Sequence, residues 1–264
     1  MTASTMTVLI TGASGGIGEA FAHLLASQGN SLVLAARGDR ELNRVAGVIA
    51  AKHRVPVTVV SCDLARPDGV EALAGDLARR AIQPDIVVNN AGFGLVGAAS
   101  ALDREGQLAM TDLNIRALSD LSFRYLPGMI ARGRGGIINV ASTAGFMAGP
   151  GMAVYFASKN YVVAFSDALH HEAKAAGVNV MSLCPGPVVT GFQARAGMHA
   201  LKRGALSNTM TPEAVAMAGW AGFKAGKRCV IPGVVNLLST FAGRFLPRGL
   251  VLPIAARAVK GMGA

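Results

Sequence analysis

The sequence predicts an α/β fold, a doubly wound parallel sheet with helices on both faces. Seven short runs of apolar, mostly β-branched residues alternate with helical patterns of about a dozen residues or more. Strands that are apolar on both faces are typical of a parallel sheet that is covered on both sides. No linker interrupts this alternation, so residues 1–264 are expected to form one domain.

The first half of the chain predicts four strands with three helices between them. Residues 7–10 are apolar and β-branched and stop at Thr11-Gly12, after which apolar residues recur at helical spacing until Asn30. The same reasoning applies to each following pair of elements. The strands are predicted at 7–10, 31–35, 57–61 and 85–88, and the helices at about 17–25, 41–53 and 69–81.

The second half continues the alternation with longer helices. Strands are predicted at 136–141, 178–183 and 228–231, and helices at about 104–131, 152–176 and 212–225. Residues 190–225 are expected to contain a lid over the substrate. Residues 233–264 are apolar and basic and are expected to form a C-terminal extension.

The composition excludes several classes of protein. A hydrophobic fraction of 52% excludes intrinsic disorder, and three widely spaced cysteines exclude a disulfide scaffold. His170 and His171 are neighbours on a predicted helix and cannot face one ion, so no metal site is expected. The sequence shows no signal-peptide pattern and no run of about 18 apolar residues, which favours a cytoplasmic protein.

The positive charge is concentrated near the C-terminus. The net charge is +10, yet residues 1–189 carry 15 Lys/Arg and 14 Asp/Glu, whereas residues 190–264 carry 10 Lys/Arg and one acid, Glu213. An acidic carrier, an anionic membrane surface or plain solvation could match such a basic segment. No aromatic residues are interleaved with the basic ones and no nucleic-acid motif is present, so no nucleic-acid partner is expected.

A glycine-rich turn after the first strand predicts a dinucleotide site in a Rossmann-type sheet. The turn runs from Thr11 to Gly18 and leads directly into a helix, whose N-terminal N–H groups and dipole favour phosphate. Gly12 permits a tight turn, Gly16 lets the backbone approach a pyrophosphate, and Gly18 lets the helix pack on the strand. The predicted cofactor contacts in this turn are Gly12, Ser14, Gly16, Ile17 and Gly18.

The end of the second strand indicates which nicotinamide cofactor binds. NAD sites usually place an acid there to bond the ribose 2′-hydroxyl. This chain has Ala36 followed by Arg37 instead. A guanidinium matches a 2′-phosphate, so NADP(H) is predicted as the cofactor. The alternative is that Arg37 is solvated or pairs with Asp39.

Three polar residues predict acid–base chemistry on a carbonyl or an alcohol. Tyr155 and Lys159 lie four apart on one face of a helix, and Ser142 follows the fifth strand. A nearby ammonium is expected to lower the pKa of the phenol, which is ordinarily near 10. Tyr155 could then exchange a proton with a substrate oxygen while Ser142 hydrogen-bonds the same oxygen.

These motifs, in this order, resemble the single-domain type of the short-chain dehydrogenase/reductase family over about residues 6–232. The further motifs that carry the resemblance are Asp63-Leu64, Asn89-Asn90-Ala91-Gly92, Asn114, Pro185-Gly186-Pro187 and Thr190. The resemblance implies a sheet of seven strands and a homodimer or homotetramer. The tail resembles a bacterial branch of the family that is related to hydroxysteroid dehydrogenases and long-chain 3-ketoacyl reductases.

The resemblance also implies roles for individual residues. Asn114 would hold a water that links Lys159 to solvent, and Lys159 would bond the nicotinamide ribose. Asp63 and Leu64 would contact the adenine. The remaining cofactor contacts would come from Asn90, Ala91, Gly92, Pro185, Gly186, Val188 and Thr190.

The residues expected to face the substrate are apolar apart from Ser142. They are Phe93, Leu95, Phe146, Met147, Met152, Phe192 and Met198. An apolar ketone, aldehyde or acyl chain is therefore the expected substrate. Arg195, Lys202 and Arg203 in the lid could meet a phosphate-bearing carrier or be solvated.

The sequence is compatible with three alternative functions. An NADP(H)-dependent carbonyl reductase or alcohol dehydrogenase is the first interpretation. A 3-oxoacyl thioester reductase, acting on coenzyme A or acyl carrier protein, is the second, and an NADP(H)-binding regulatory protein is the third. For the tail, residues 234–259 are hypothesised to form amphipathic helices that dock on a membrane surface or a second subunit, or else to pack over their own domain.

Overall fold

One parallel sheet of seven strands organises the chain, as the sequence predicts. The computed structural model describes residues 5–196 and 209–261. The strands are β1 (Thr7–Thr11), β2 (Ser31–Ala36), β3 (Val57–Ser61), β4 (Ile86–Asn89), β5 (Gly136–Val140), β6 (Asn179–Leu183) and β7 (Cys229–Val230).

The strand order places a topological switch point in the middle of the sheet. The order is β3-β2-β1-β4-β5-β6-β7, and every neighbouring pair is parallel. The chain leaves β1 in one direction to form β2 and β3, and returns to the other side of β1 to form β4. Ligands of doubly wound sheets bind at the carboxyl ends of the strands beside such a switch point. The C-terminal ends of β1 and β4 therefore mark where a site belongs.

The helices cover both faces of this sheet. They are α1 (Gly16–Ala26), α2 (Asp39–His53), α3 (Gly69–Arg79), α4 (Arg104–Thr111), α5 (Leu118–Arg132), α6 (Ala153–Lys174), α7 (Phe192–Arg195), α8 (Pro212–Lys224), α9 (Val234–Phe245) and α10 (Arg248–Lys260). Residues of α1, α2 and α8 bury one face of the sheet, and residues of α3, α5 and α6 bury the other. Trp220 of α8 also donates a hydrogen bond from Nε1 to Gln28 Oε1 at 2.8 Å, which ties α8 to the end of α1.

The structure corrects three element boundaries. The helix predicted over 104–131 is divided, because a π-helical turn at Asp112–Ala117 separates α4 from α5. The helix predicted over 69–81 ends at Arg79, and Ala81 has a left-handed backbone with φ of 55°. The seventh strand, predicted over 228–231, is only two residues long, since only Cys229 and Val230 pair with β6.

The C-terminal extension forms α9 and α10, and both helices pack on their own domain. Gly243 of α9 lies against Met147, and Val259 of α10 lies against Gly151. Both contacts are on the segment between β5 and α6. Within residues 5–196 and 209–261, no helix combines the length and the apolarity that crossing a bilayer requires.

Phe21 provides a direct test of the core. Its side chain is fully buried between the sheet and α8. Phe21→Ala should lower the free energy of unfolding by about 3–5 kcal/mol, because it leaves a large cavity. Phe123→Ala, on the outer side of α5, should cost less than about 1 kcal/mol. Urea unfolding of both variants measures the difference, and equal losses would contradict this description of the core.

Candidate active site

A cavity of about 950 Å³ opens along the C-terminal ends of the strands. Its walls come from the loops after β1, β2, β3, β4, β5 and β6, together with the start of α6 and parts of α9 and α10. The cavity therefore lies at the switch point of the sheet. Most of the residues predicted from the sequence to bind cofactor or substrate line it.

The glycine turn forms one wall of the cavity through its bare backbone. Gly12, Ser14, Gly16 and Ile17 line the cavity, and α1 begins at Gly16. Gly12 has φ of 64°, and a Cβ there would lie 2.9 Å from Ala91 Cα. Gly18 does not line the cavity, because it faces the turn itself, where a Cβ would overlap the Gly12 carbonyl oxygen. The predicted packing role of Gly18 is found, and its contact with the cofactor stays a prediction.

A set of hydrogen bonds joins the ends of β1 and β4 beside this turn. Thr11 Oγ1 accepts from the backbone N–H groups of Asn90 and Ala91, both at 3.0 Å. Asn90 Nδ2 donates in return to the carbonyl oxygens of Thr11 at 2.9 Å and Gly12 at 3.2 Å. These bonds hold Asn90, Ala91 and the glycine turn in one wall of the cavity.

The end of the cavity beneath β2 and β3 carries positively and negatively charged side chains. Arg37, Asp63 and Leu64, which are predicted cofactor contacts, line it, and so does Glu41 of α2, which sequence reasoning missed. The Arg37 side chain is 63% exposed, and its Nη1 lies 4.0 Å from Asp63 Oδ2. Such a long, exposed pair is weak, so the guanidinium is free to turn toward an anion. Glu41 is itself bonded to Arg44, which lowers the pKa of that carboxyl.

Ser142, Tyr155 and Lys159 come together at the opposite end of the cavity. All three line it. Ser142 follows β5 in an extended conformation, and its Oγ accepts a hydrogen bond from Ala144 N at 3.1 Å. Lys159 Nζ donates to the Val140 carbonyl oxygen at 2.8 Å and lies 5.8 Å from the centre of the Tyr155 ring. The phenol, the hydroxyl and the ammonium thus share one corner.

Burial controls the protonation of this corner. Burial raises the pKa of Tyr155 above 10, and the hydrogen bond from Ser142 opposes that rise. Burial also lowers the pKa of Lys159 to about 8. The sequence-based expectation of a lowered phenol pKa is therefore wrong for this structure. The ammonium is bonded to the Val140 carbonyl, and loss of hydration disfavours the phenolate.

Asn114 lies behind the cavity wall and not in it. It occupies the π-helical turn, and its side chain is buried. Its Oδ1 accepts from Phe93 N at 3.1 Å, while Nδ2 donates to Phe93 O at 3.0 Å and to Ser158 Oγ at 3.1 Å. The side chain therefore fixes the backbone of Phe93 beside α6. A role in holding a water remains a prediction.

The segment after β6 closes the cavity next to Ser142. The predicted cofactor contacts Pro185, Gly186, Val188 and Thr190 line the cavity. Gln193 of α7 holds this segment, because its side chain accepts from Thr190 N at 3.1 Å and donates to the Val188 carbonyl. Gly186 is packed so closely against Asn236 of α9 that a Cβ would overlap the amide. The C-terminal extension thereby helps to position this segment.

The wall around Tyr155 is apolar. Phe93, Met147, Met152 and Phe192, which are predicted to face the substrate, line the cavity, and the Phe192 ring lies 5.5 Å from the Tyr155 ring. Phe146 and Leu95 do not line the cavity, and their contact with a substrate stays a prediction. The 3₁₀ turn Thr143–Phe146 directs Phe146 into a core cluster with Val162 and Val163.

Several lining residues were missed by sequence reasoning. They are Phe156, Gln193, Ser239, Ala255, Ala258 and Val259. The last four belong to α9 and α10, which no motif links to the site. Met198 and the basic lid residues Lys202 and Arg203 lie outside the described residues.

Comparison with known proteins identifies the family. A family model described as short chain dehydrogenase matches residues 6–200. The chain belongs to the short-chain dehydrogenase family. Membership confirms the resemblance that the motifs indicate.

Curated members of the short-chain dehydrogenase family share about a third of their residues with this chain. An uncharacterised oxidoreductase of Staphylococcus epidermidis is 36% identical over 69% of this chain and 77% of its own. A sulfoacetaldehyde reductase of Chromohalobacter salexigens is 37% identical over 70% and 73%. The human very-long-chain 3-oxoacyl-CoA reductase is 32% identical over 69% of this chain, which is 59% of the human protein.

Solved structures of short-chain dehydrogenases superimpose over nearly the whole chain. One from Sphingobium yanoikuyae in complex with NADPH has a TM-score of 0.81 and 31% identity, covering 93% of this chain and 95% of its own. One from Burkholderia phymatum in complex with NAD has a TM-score of 0.80 and 26% identity, covering 91% and 93%. The two neighbours were thus solved with different nicotinamide cofactors.

The buried lysine predicts a pH-dependent stability. Between pH 8 and 10.5 the unfolded chain keeps the Lys159 proton while the folded chain loses it, so this group's contribution to stability rises with pH. Lys159→Met should therefore raise the free energy of unfolding at pH 7 by roughly 2–3 kcal/mol, once the lost hydrogen bond to Val140 is allowed for.

Urea unfolding at pH 7 and pH 10 measures this effect. The gain from Lys159→Met should shrink at the higher pH. Lys227→Met, at an exposed position, controls for the loss of one lysine. A gain that is equal at both pH values would show that burial does not lower the Lys159 pKa.

Proposed function

We propose that this protein is an NADP(H)-dependent oxidoreductase that interconverts a carbonyl and a secondary alcohol on an apolar substrate. One observation carries the proposal. Tyr155, Ser142 and Lys159 meet in an apolar corner of the same cavity whose other wall is the glycine turn and the start of α1. A proton donor is thereby placed within one enclosure with a site suited to a dinucleotide.

The residues present fit a nicotinamide cofactor. Because Gly12 and Gly16 have no side chains, the backbone N–H groups at the start of α1 are not covered, and such groups favour phosphate. Lys159 and the segment from Pro185 to Thr190 line the far end, where the nicotinamide would lie. When bound, the cofactor supplies or accepts the hydride.

Arg37 supports NADP(H) over NAD. It stands directly after β2, where NAD sites usually carry an acid, and its guanidinium is exposed at the cavity. Asp63 is close but makes only a long ion pair with it. The Sphingobium relative was solved with NADPH and the Burkholderia relative with NAD, so the assignment rests on Arg37 and not on the relatives.

The side chains divide the acid–base work in the reducing direction. The raised pKa keeps Tyr155 protonated, so its O–H can donate to a carbonyl oxygen as that oxygen gains charge. Ser142 can hydrogen-bond the same oxygen and orient it. Lys159, buried beside the ring, can stabilise the phenolate that remains after the proton has moved. In oxidation the same proton returns to Tyr155.

A 3-oxoacyl thioester is the second candidate substrate. The human relative is named a very-long-chain 3-oxoacyl-CoA reductase. Met152, Phe192, Ala255 and Val259 line the cavity and present apolar surface to an acyl chain. Comparing acyl thioesters with simple apolar ketones of equal chain length would separate the two candidates.

Removing the phenol should abolish turnover without abolishing cofactor binding. Tyr155→Phe should lower the rate of NADPH oxidation about 10²- to 10⁴-fold, because the proton donor is lost. Tyr161→Phe is the matched control, since that hydroxyl bonds to Ser119 away from the cavity. Kinetics with an apolar ketone and fluorescence titration with NADPH measure both effects. A fully active Tyr155→Phe enzyme would refute the assigned role.

The selectivity for NADP(H) should depend on one guanidinium. Arg37→Ser should weaken NADPH binding about 10- to 100-fold, the usual worth of charge-assisted hydrogen bonds, and change NADH binding little. Arg40→Ser, whose side chain is 94% exposed three residues later, is the control. Equal losses of both cofactors in Arg37→Ser would argue against a 2′-phosphate contact.

A further inference from the structure

The helix α9 buries polar side chains and exposes apolar ones, which is the reverse of an ordinary surface helix. Asn236 and Thr240 point into the protein and are 8% and 3% exposed. The outward positions are apolar and largely exposed, among them Leu238 at 64% and Phe241 at 64%. A helix on the surface of a water-soluble domain normally buries its apolar side. The outer side of α9 is therefore built to contact something other than water.

The turn after α9 and the helix α10 also carry exposed apolar side chains. We use the name tail face for the exposed apolar side chains of this region, which are Val234, Val235, Leu237, Leu238, Phe241, Phe245, Leu246, Leu250, Leu252 and Ile254. The rings of Phe241 and Phe245 lie 4.4 Å apart and form a paired aromatic group on it. An exposed apolar surface of this extent is typical of a docking site.

The charged residues of α9, of α10 and of the turn between them have one sign. Arg244, Arg248, Arg257 and Lys260 are all exposed, and none of them forms an ion pair within the described residues. The sequence contains no Asp or Glu after Glu213. The partner that fits is therefore apolar and carries negative charge.

We propose that the tail face docks on the surface of an anionic lipid membrane. Apolar side chains enter the boundary between headgroups and acyl chains, while the arginines and the lysine meet lipid phosphates. The helix α9 has 12 residues, about 18 Å, which is shorter than the hydrocarbon core of about 30 Å, so it lies along the surface. A second copy of the chain fits poorly, because pairing two tail faces brings cations against cations.

The tail face is the outer side of a cavity wall. Ser239 of α9 and Ala255, Ala258 and Val259 of α10 line the cavity. Docking would place that wall next to apolar compounds dissolved in the membrane. The docking itself depends only on the surface, so it stands whether or not the proposed reaction is correct.

Vesicle sedimentation of the full-length protein tests the proposal. The probes are vesicles of phosphatidylcholine alone and of phosphatidylcholine mixed with phosphatidylglycerol. The wild-type protein should bind the anionic vesicles more strongly, and added salt should weaken that binding. Protein that stays in the supernatant with both kinds of vesicle would overturn the proposal.

Two variants localise the contact. Phe241→Ser combined with Phe245→Ser should lower the partition into anionic vesicles on the order of tenfold or more, because it removes the aromatic pair. Phe123→Ser, which removes an exposed aromatic ring on α5, is the matched control and should bind as wild type does. Thermal melting checks that both variants fold. Equal binding of the tail variant and wild type would overturn the proposal.

The charges give an independent test should the aromatic variant fail to fold. Arg244→Gln combined with Arg248→Gln should reduce the preference for anionic over neutral vesicles several-fold. Sedimentation velocity provides the opposing outcome. A dimer that forms through the tail face, with no vesicle binding, would show that a second copy covers this surface and would overturn the proposal.

Discussion

The hydrogen bonds that tie β1 to β4 at their C-terminal ends are the constraint on which the site depends. Thr11 and Asn90 exchange side-chain and backbone bonds, and these leave no room for a Cβ at Gly12 or Gly18. The start of α1 is thereby held against the switch point of the sheet with its N–H groups bare. The cavity wall that a cofactor phosphate would contact follows from this close approach.

The other end of the cavity combines polar groups with low hydration. Tyr155 and Lys159 lie on the first turns of α6, and that helix is held by core contacts on its far side. Burial favours the neutral form of both groups, so it raises the pKa of Tyr155 and lowers the pKa of Lys159. The corner is thus adapted to a neutral phenol that gives its proton only when charge develops on a nearby oxygen. Asn114 supports it from behind by fixing the backbone of Phe93.

Local sequence signals predicted the sheet, its order of elements and most of the cavity lining. Those signals succeed where neighbouring residues determine the structure, as in the turn from Thr11 to Gly18 or the spacing of Tyr155 and Lys159. They fail where tertiary packing decides. Phe146 and Met147 are adjacent and both apolar, and packing against the core cluster places Phe146 there while Met147 lines the cavity. The return of α9 and α10 to the site depends on contacts such as Gly186 with Asn236, which no periodic pattern encodes.

Transfer of a labelled hydride tests the central claim most directly. The protein is incubated with an apolar ketone and NADPH that carries deuterium at the transferred position, and the alcohol is analysed by mass spectrometry. The account predicts an alcohol with one deuterium on the carbinol carbon, formed by wild type and not by Tyr155→Phe. Bound NADPH with no labelled alcohol from any ketone or acyl thioester would contradict it, because the cavity would then bind the cofactor without directing its hydride to a carbonyl.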